Sequence, residues 1–244
     1  MTESRTTLVV SAHPGDFVWR AGGAIALAAH RGERVVIACL SYGERGESAA
    51  QWRAGKTLQE IKQIRHEEAE AAAAILGAEL RTFDGDDYPL EETPELRQRL
   101  IDLYREVQPD VVLTHAASDP YNMDHPKAAE IALKARVLAQ APGVSGPGDV
   151  IGAPPVFCFE PHQSEVCGFV PNVLLDITEV WETKVAAMNS LGASQGHLVD
   201  YYSDLGRRRG VQAKRNSGPN LGLPVTTLGE AYQRVYPQVT SELA

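Results

Sequence analysis

The chain alternates short, uninterrupted apolar runs with stretches in which apolar residues recur at helical spacing. Thr7 to Ser11 (TLVVS) is rich in β-branched residues and continuous, the mark of a strand covered on both faces. It ends in AHPGD, and a helix is predicted over Trp19 to Arg31 with Gly32 as its stop. Arg34 to Leu40 (RVVIACL) gives a second strand that closes in the glycine-punctuated loop SYGERGES. Thr57 to Leu76 sets Ala, Ile and Leu against Glu, Lys and Arg, so it predicts a long amphipathic helix capped by Gly77.

A short strand around Leu80 to Phe83, a helix over Pro94 to Val107 and the strand VVLTH follow. After them come a helix from about Pro126 to Gln140, a Pro/Gly-rich loop near residues 142–155, and the strands VFCFE and NVLLDIT. Trp181 to Leu191 and Leu198 to Ala213 read as helices, the second interrupted by Gly206 and Gly210. The final stretch, with RNSGPNLGLP and a helix-like AYQRV, reads as a C-terminal arm from about residue 214 on a single domain. The alternation predicts an α/β fold, with helices on both faces of a mainly parallel sheet.

Composition narrows the partners. With 43% hydrophobic and 23% charged residues the 244-residue chain is ordinary globular material, and a formal charge of -9 gives no attraction to nucleic acid or anionic membrane. Cys39, Cys158 and Cys167 form no CxxC pair, so neither a disulfide framework nor a sulfur-ligated zinc site is expected. No apolar run approaches the roughly 18 residues of a membrane span, and a cytoplasmic location is expected.

In open α/β sheets ligands bind beyond the carboxyl ends of the strands. The polar residues there are His13, Asp16, Glu44, Arg45, Glu47, His115, Asp119, Asp124, His125, Glu160 and His162. His13 and Asp16, on one strand-to-helix turn, can face a single ion, and His125 is the best third ligand from another loop. Two histidines and a carboxylate with an open position suit Zn2+, and equally Fe2+ or Mn2+. The competing reading makes Asp16 and Asp124 helix caps beside hydrogen-bonded histidines.

SAHPGDFVWRAGG resembles the first motif, AHPDDE, of the zinc-dependent de-N-acetylases (LmbE/PIG-L-like family). GERGE, RHEEAEAAAAILG and NMDHPKA continue the resemblance in order over roughly residues 6–135. It implies a Rossmann-like fold with His13, Asp16 and His125 as ligands of Zn2+ or another divalent metal. The departures matter more. Gly15 stands where the deacetylases carry their general base, Phe17 replaces the closing acidic residue, and Asn122 replaces the first histidine of HPDH. The resemblance is strongest to the family's branch that hydrates 4-oxalomesaconate in gallate catabolism, carried by DPYNMDHP, GAPPVFCFEPHQ, LLDITEVWE and GVQAKRNSG.

That branch implies a homo-oligomeric hydro-lyase acting on a small polycarboxylate. Adding water to a conjugated double bond needs an electrophile at the carbonyl, a base for water and an acid for carbon. Glu47 and His162 are the candidates for base and acid, with Glu44 and His115 as rivals. Arg20, Arg45, Arg65 and Arg215 are candidate carboxylate partners and Asn122 a neutral one, whereas Arg207, Arg208 and Arg209 read as a solvated helix end. An amide hydrolase with a relocated base, and a non-catalytic metal-binding protein, are the competing functions.

Overall fold

In the computed structural model, which describes residues 5–242, seven strands form one sheet in the order β3-β2-β1-β4-β5-β7-β6. They are β1 (Thr6–Ser11), β2 (Arg34–Ser41), β3 (Glu79–Gly85), β4 (Val111–Thr114), β5 (Val156–Phe159), β6 (Val173–Asp176) and β7 (Gly229–Arg234). β1 to β5 pair in parallel, and β7 runs antiparallel between β5 and β6. The helices are α1 (Pro14–His30), α2 (Ala49–Arg53), α3 (Leu58–Leu76), α4 (Pro94–Val107), α5 (Asp124–Ala139), α6 (Trp181–Ser190), α7 (Gly192–Gln195) and α8 (Val199–Leu221).

Strand alternation divides the core in two. Leu8, Val10, Val36, Ala38 and Leu40 pack with α4 and α5, while Val9, Val35 and Ile37 pack with α1, α3 and α6. Covering on both faces is what allows β1 and β2 to be continuously apolar. Because β1 lies between β2 and β4, the loops after these three strands open at one end of the sheet.

Several boundaries move for physical reasons. α1 begins at Pro14, ahead of the expected Trp19, because proline suits the first helical turn and Asp16 Oδ2 accepts the His13 backbone N–H at 2.9 Å. α8 runs through Gly206 and Gly210. A Cβ at Gly206 would lie 2.7 Å from the Trp181 ring and one at Gly210 1.7 Å from the Thr227 carbonyl, so these glycines serve close packing, not helix breaking. AYQRV is strand β7, not helix: so short a run shows no decisive period, and its pairing with β5 and β6 settles the matter.

β7 also carries a buried ion pair. Glu230 accepts from Lys184 Nζ at 2.6 Å, from the Gly23 and Ala24 backbone N–H groups at 2.7 and 2.9 Å, and from the Tyr232 hydroxyl at 2.6 Å. It ties β7, α6 and α1 together below the site. Glu230→Ala would strand the Lys184 ammonium, a loss of about 3–5 kcal/mol. Urea unfolding should show that drop, and a change under about 1 kcal/mol would mean the pair contributes no more than an exposed one.

The cysteines are free and buried, and burial pushes the Cys39 and Cys158 thiols up to about 12. Among the described residues no helix is long and apolar enough to cross a membrane.

Candidate metal and catalytic site

The loops after β1, β2 and β4 bring His13, Asp16, Glu47 and His125 together, with one ligand atom of each within 4.8 Å of the others. His13 caps α1, Asp16 lies in its first turn, and His125 follows Asp124 at the start of α5. His13 Nδ1 is 3.2 Å from Asp16 Oδ2 and 3.2 Å from Glu47 Oε1, and Asp16 Oδ1 is 3.1 Å from His125 Nε2. Asp16 thus caps its helix and faces the histidines at once, so the two readings of the HxxD spacing do not compete.

The outer nitrogens are fixed by carboxylates. His13 Nε2 meets Asp124 Oδ2 at 3.1 Å and His125 Nδ1 meets Asp119 Oδ2 at 2.8 Å. Asp124 is itself held by the Tyr88 and Leu90 backbone N–H groups at 2.9 and 2.8 Å. Histidines that bind metals commonly use the second nitrogen in this way. The inner atoms, His13 Nδ1 and His125 Nε2, are buried without a hydrogen-bond partner among the described residues. Their separations from Asp16 lie close to the roughly 3.3 Å edge of a tetrahedron built on metal bonds of about 2.0–2.1 Å. This donor set fits a divalent cation.

Electrostatics agree. Burial alone would lower His13, but Glu47, Asp124 and Asp16 outweigh it and hold the imidazole well above its ordinary value. Burial would raise Asp16, yet His125 helps to keep it well below the carboxylate range. Positive charge is what this cluster favours. His115 differs: burial keeps it well below the ordinary imidazole value, its Nε2 accepts the Ala12 N–H at 2.9 Å, and its ring stacks on His125 at 4.4 Å. It supports His125 by packing.

A cavity of about 300 Å³ opens beside the cluster, and Asp16, Glu47, His125, His162, Arg20 and Asn122 all contribute to its wall. Glu47 is drawn toward ionisation: burial would raise it, but His13 and Arg65 prevail. His162, half-buried after β5, stacks on Tyr201 at 4.4 Å and is lowered by burial and by Arg20. Glu44 is fully buried and paired with Arg45 and Lys62, outside that wall.

The expected convergence of arginines is only partly met. Arg20 reaches the cavity, held by the Glu160 carbonyl at 3.2 Å and by Asp16 at 3.4 Å. Arg65 is completely buried behind Glu47, at 3.2 Å from it and 2.7 Å from Glu68. Arg45 is turned away because Asp86 and Asp87 bind it, beside a separate cavity of about 600 Å³. Arg215 is exposed on α8 and does not reach the site. Arg207 and Arg208 are exposed as expected, but Arg209 is not: it pairs with Glu160 inside a continuing helix.

Reading along the sequence missed Gln195, Tyr202, Trp19 and Tyr88, all in the cavity wall. Gln195 and Tyr202 come from α7 and α8, where no strand-end position flags them. Tyr88, in the DGDDYP loop, has a φ of 49°, a left-handed conformation unusual for a bulky residue.

Comparison with known proteins places this geometry. Residues 8–136 match the family model PIG-L: GlcNAc-PI de-N-acetylase. The chain is similar to a 4-oxalmesaconate hydratase of Pseudomonas putida, 50% identical over 100% of this chain and 94% of that one. It is also similar to the crystal structure of GalB, the 4-carboxy-2-hydroxymuconate hydratase from Pseudomonas putida, with 51% identity, a TM-score of 0.94, and coverage of 98% of this chain and 100% of that one. A probable N-acetyl-alpha-D-glucosaminyl L-malate deacetylase of Bacillus cereus is 27% identical over 76% of this chain and 82% of its own. The family motifs and the full-length similarity agree with the fold and the donor cluster: the chain belongs to the PIG-L family.

Proposed function

We propose that the protein is a metal-dependent hydratase that adds water across the carbon–carbon double bond of 4-oxalomesaconate, or of a close unsaturated oxo-tricarboxylate, in gallate or related aromatic-acid catabolism. The observation that carries this reading is full-length similarity to the hydratase, 50% identical, combined with a side-chain-free Gly15 beside an intact donor set. His13, Asp16 and His125 would hold Zn2+, or another divalent ion of similar preference. When bound, the ion supplies Lewis acidity toward oxygen and offsets the substrate's negative charge.

The protein's own groups then divide the work. Glu47, against the donor cluster, takes a proton from water as its oxygen bonds to one alkene carbon. His162, in its protonated form, gives a proton to the other alkene carbon. A proton passing from Glu47 to His162 through solvent restores both groups. Arg20 binds a substrate carboxylate, while Asn122 holds the Asp124 backbone N–H at 3.0 Å and so supports the turn that presents His125. Arg65 keeps Glu47 in place. The reduced, buried thiols accord with a cytoplasmic setting.

The test is ultraviolet: zinc-loaded protein should remove the conjugated absorbance of 4-oxalomesaconate and release no amine from N-acetylglucosaminyl substrates. Amine release with the absorbance unchanged would replace the hydratase reading with an amide hydrolase.

A further inference from the structure

Gln195, the last residue of α7, is only 7% exposed and contributes to the cavity wall. Its Oε1 accepts from Trp19 Nε1–H at 3.2 Å and from Arg65 Nη2–H at 3.4 Å. Two donors converging on one atom fix which end of the amide is oxygen. The NH2 end meets no protein acceptor among the described residues. α7 is itself anchored, since Gln51 Nε2–H donates to the Ala193 carbonyl at 3.3 Å and to the Ser194 hydroxyl at 3.2 Å.

The floor under this amide is Gly15. A Cβ there would lie 2.2 Å from Gln195 Oε1 and 2.9 Å from Trp19 Nε1, so a side chain at position 15 and the Gln195 amide compete for one volume. The same wall carries the carboxylates of Asp16, Glu47 and Asp119, with Arg20 as its arginine. An amide NH2 in that setting can only donate, and it adds attraction for an anion without adding a charge that must be desolvated.

We propose that Gln195 is a substrate-binding residue whose NH2 donates to a carboxylate oxygen of the polyanion, and that Gly15 is required to leave it room. This rests on the polycarboxylate hydratase reading above. The sharpest variant is Gln195→Glu, which keeps the size of the side chain and an oxygen for Trp19 and Arg65 but turns the donor into a negatively charged acceptor, and Gln195→Ala is the uncharged control that must also weaken binding. The KM of Gln195→Glu for 4-oxalomesaconate should rise about ten- to a hundredfold, with kcat within a few-fold of the parent. The Kd of tricarballylate, a saturated tricarboxylate probe, should weaken in parallel in calorimetry, with zinc content unchanged.

Gly15→Ala should weaken binding through the same group. The double variant Gly15→Ala with Gln195→Ala should then bind no worse than Gln195→Ala alone, because the second change removes what the first displaces. Unchanged KM and Kd in Gln195→Glu would overturn the inference, as would a fall in kcat alone, which would mean that Gln195 acts only through Arg65 and Glu47. Absence of hydration by the parent protein would instead defeat the hydratase reading.

Discussion

His13→Ala and His125→Ala should each come out of purification nearly free of zinc, where the parent protein carries about one ion per chain. Each histidine has a buried nitrogen that faces the Asp16 carboxylate and makes no hydrogen bond among the described residues, and each is aimed by a second carboxylate behind it, Asp124 for His13 and Asp119 for His125. Loss of one such nitrogen leaves an incomplete set of donors. Asp124→Asn provides the graded control, because it keeps both histidines and removes only the anion behind His13, and zinc affinity should fall about 10–100-fold. The ligand substitutions should exceed that loss. Elemental analysis with chelator competition reads all three, and full metal content in either histidine variant would remove that residue from the donor set.

The second large effect concerns proton transfer. Glu47→Gln and His162→Ala should retain zinc yet lose about 10²–10⁴-fold in kcat, the usual contribution of a positioned acid or base. Glu47→Gln changes little in volume, and Arg65 remains to hold the side chain, so a collapse of the loop would not account for the loss. The metal measurement also separates two roles for Glu47, whose carboxylate is close enough to the donors to be a fourth ligand. Zinc retained with turnover lost identifies the base; zinc lost with turnover identifies a ligand. Near-normal rates in both variants would remove them from the chemistry.

Much of this site was legible because it sits where the polypeptide changes from strand to helix. His13, Asp16, Glu47 and His125 follow three parallel strands whose continuous apolar runs are unmistakable, and such ends must meet in a parallel sheet. The orienting roles of Asp119 and Asp124 were less legible, since Asp124 at a helix start reads as a cap and Asp119 as one more polar loop residue when the distant imidazoles are not in view. Arg45, which does not reach the cavity, and Arg209, which is not solvated, depart from the expectation for a related reason. Sequence gives their charge but not their partners, and Asp86 and Asp87 claim Arg45 while Glu160 claims Arg209.

The second half of the chain hides more. Gly206 and Gly210 look like helix breakers, yet Trp181 and the Thr227 carbonyl need the space they leave. β7 enters the sheet out of order and carries Glu230 beneath α1, a placement that no local period announces. Gln195 is the sharpest case. Its function is coupled to Gly15, a residue 180 positions earlier, through a shared volume that only the folded chain creates.

Carbon-13 NMR of the products formed by the zinc-loaded protein from 4-oxalomesaconate tests the central claim most directly. The account predicts that the two alkene carbon signals disappear and that a hydroxyl-bearing sp3 carbon appears next to a new sp3 carbon, with no such change in the Glu47→Gln variant. Alkene signals that persist with the parent protein, at full zinc occupancy and with the fold intact, would contradict it.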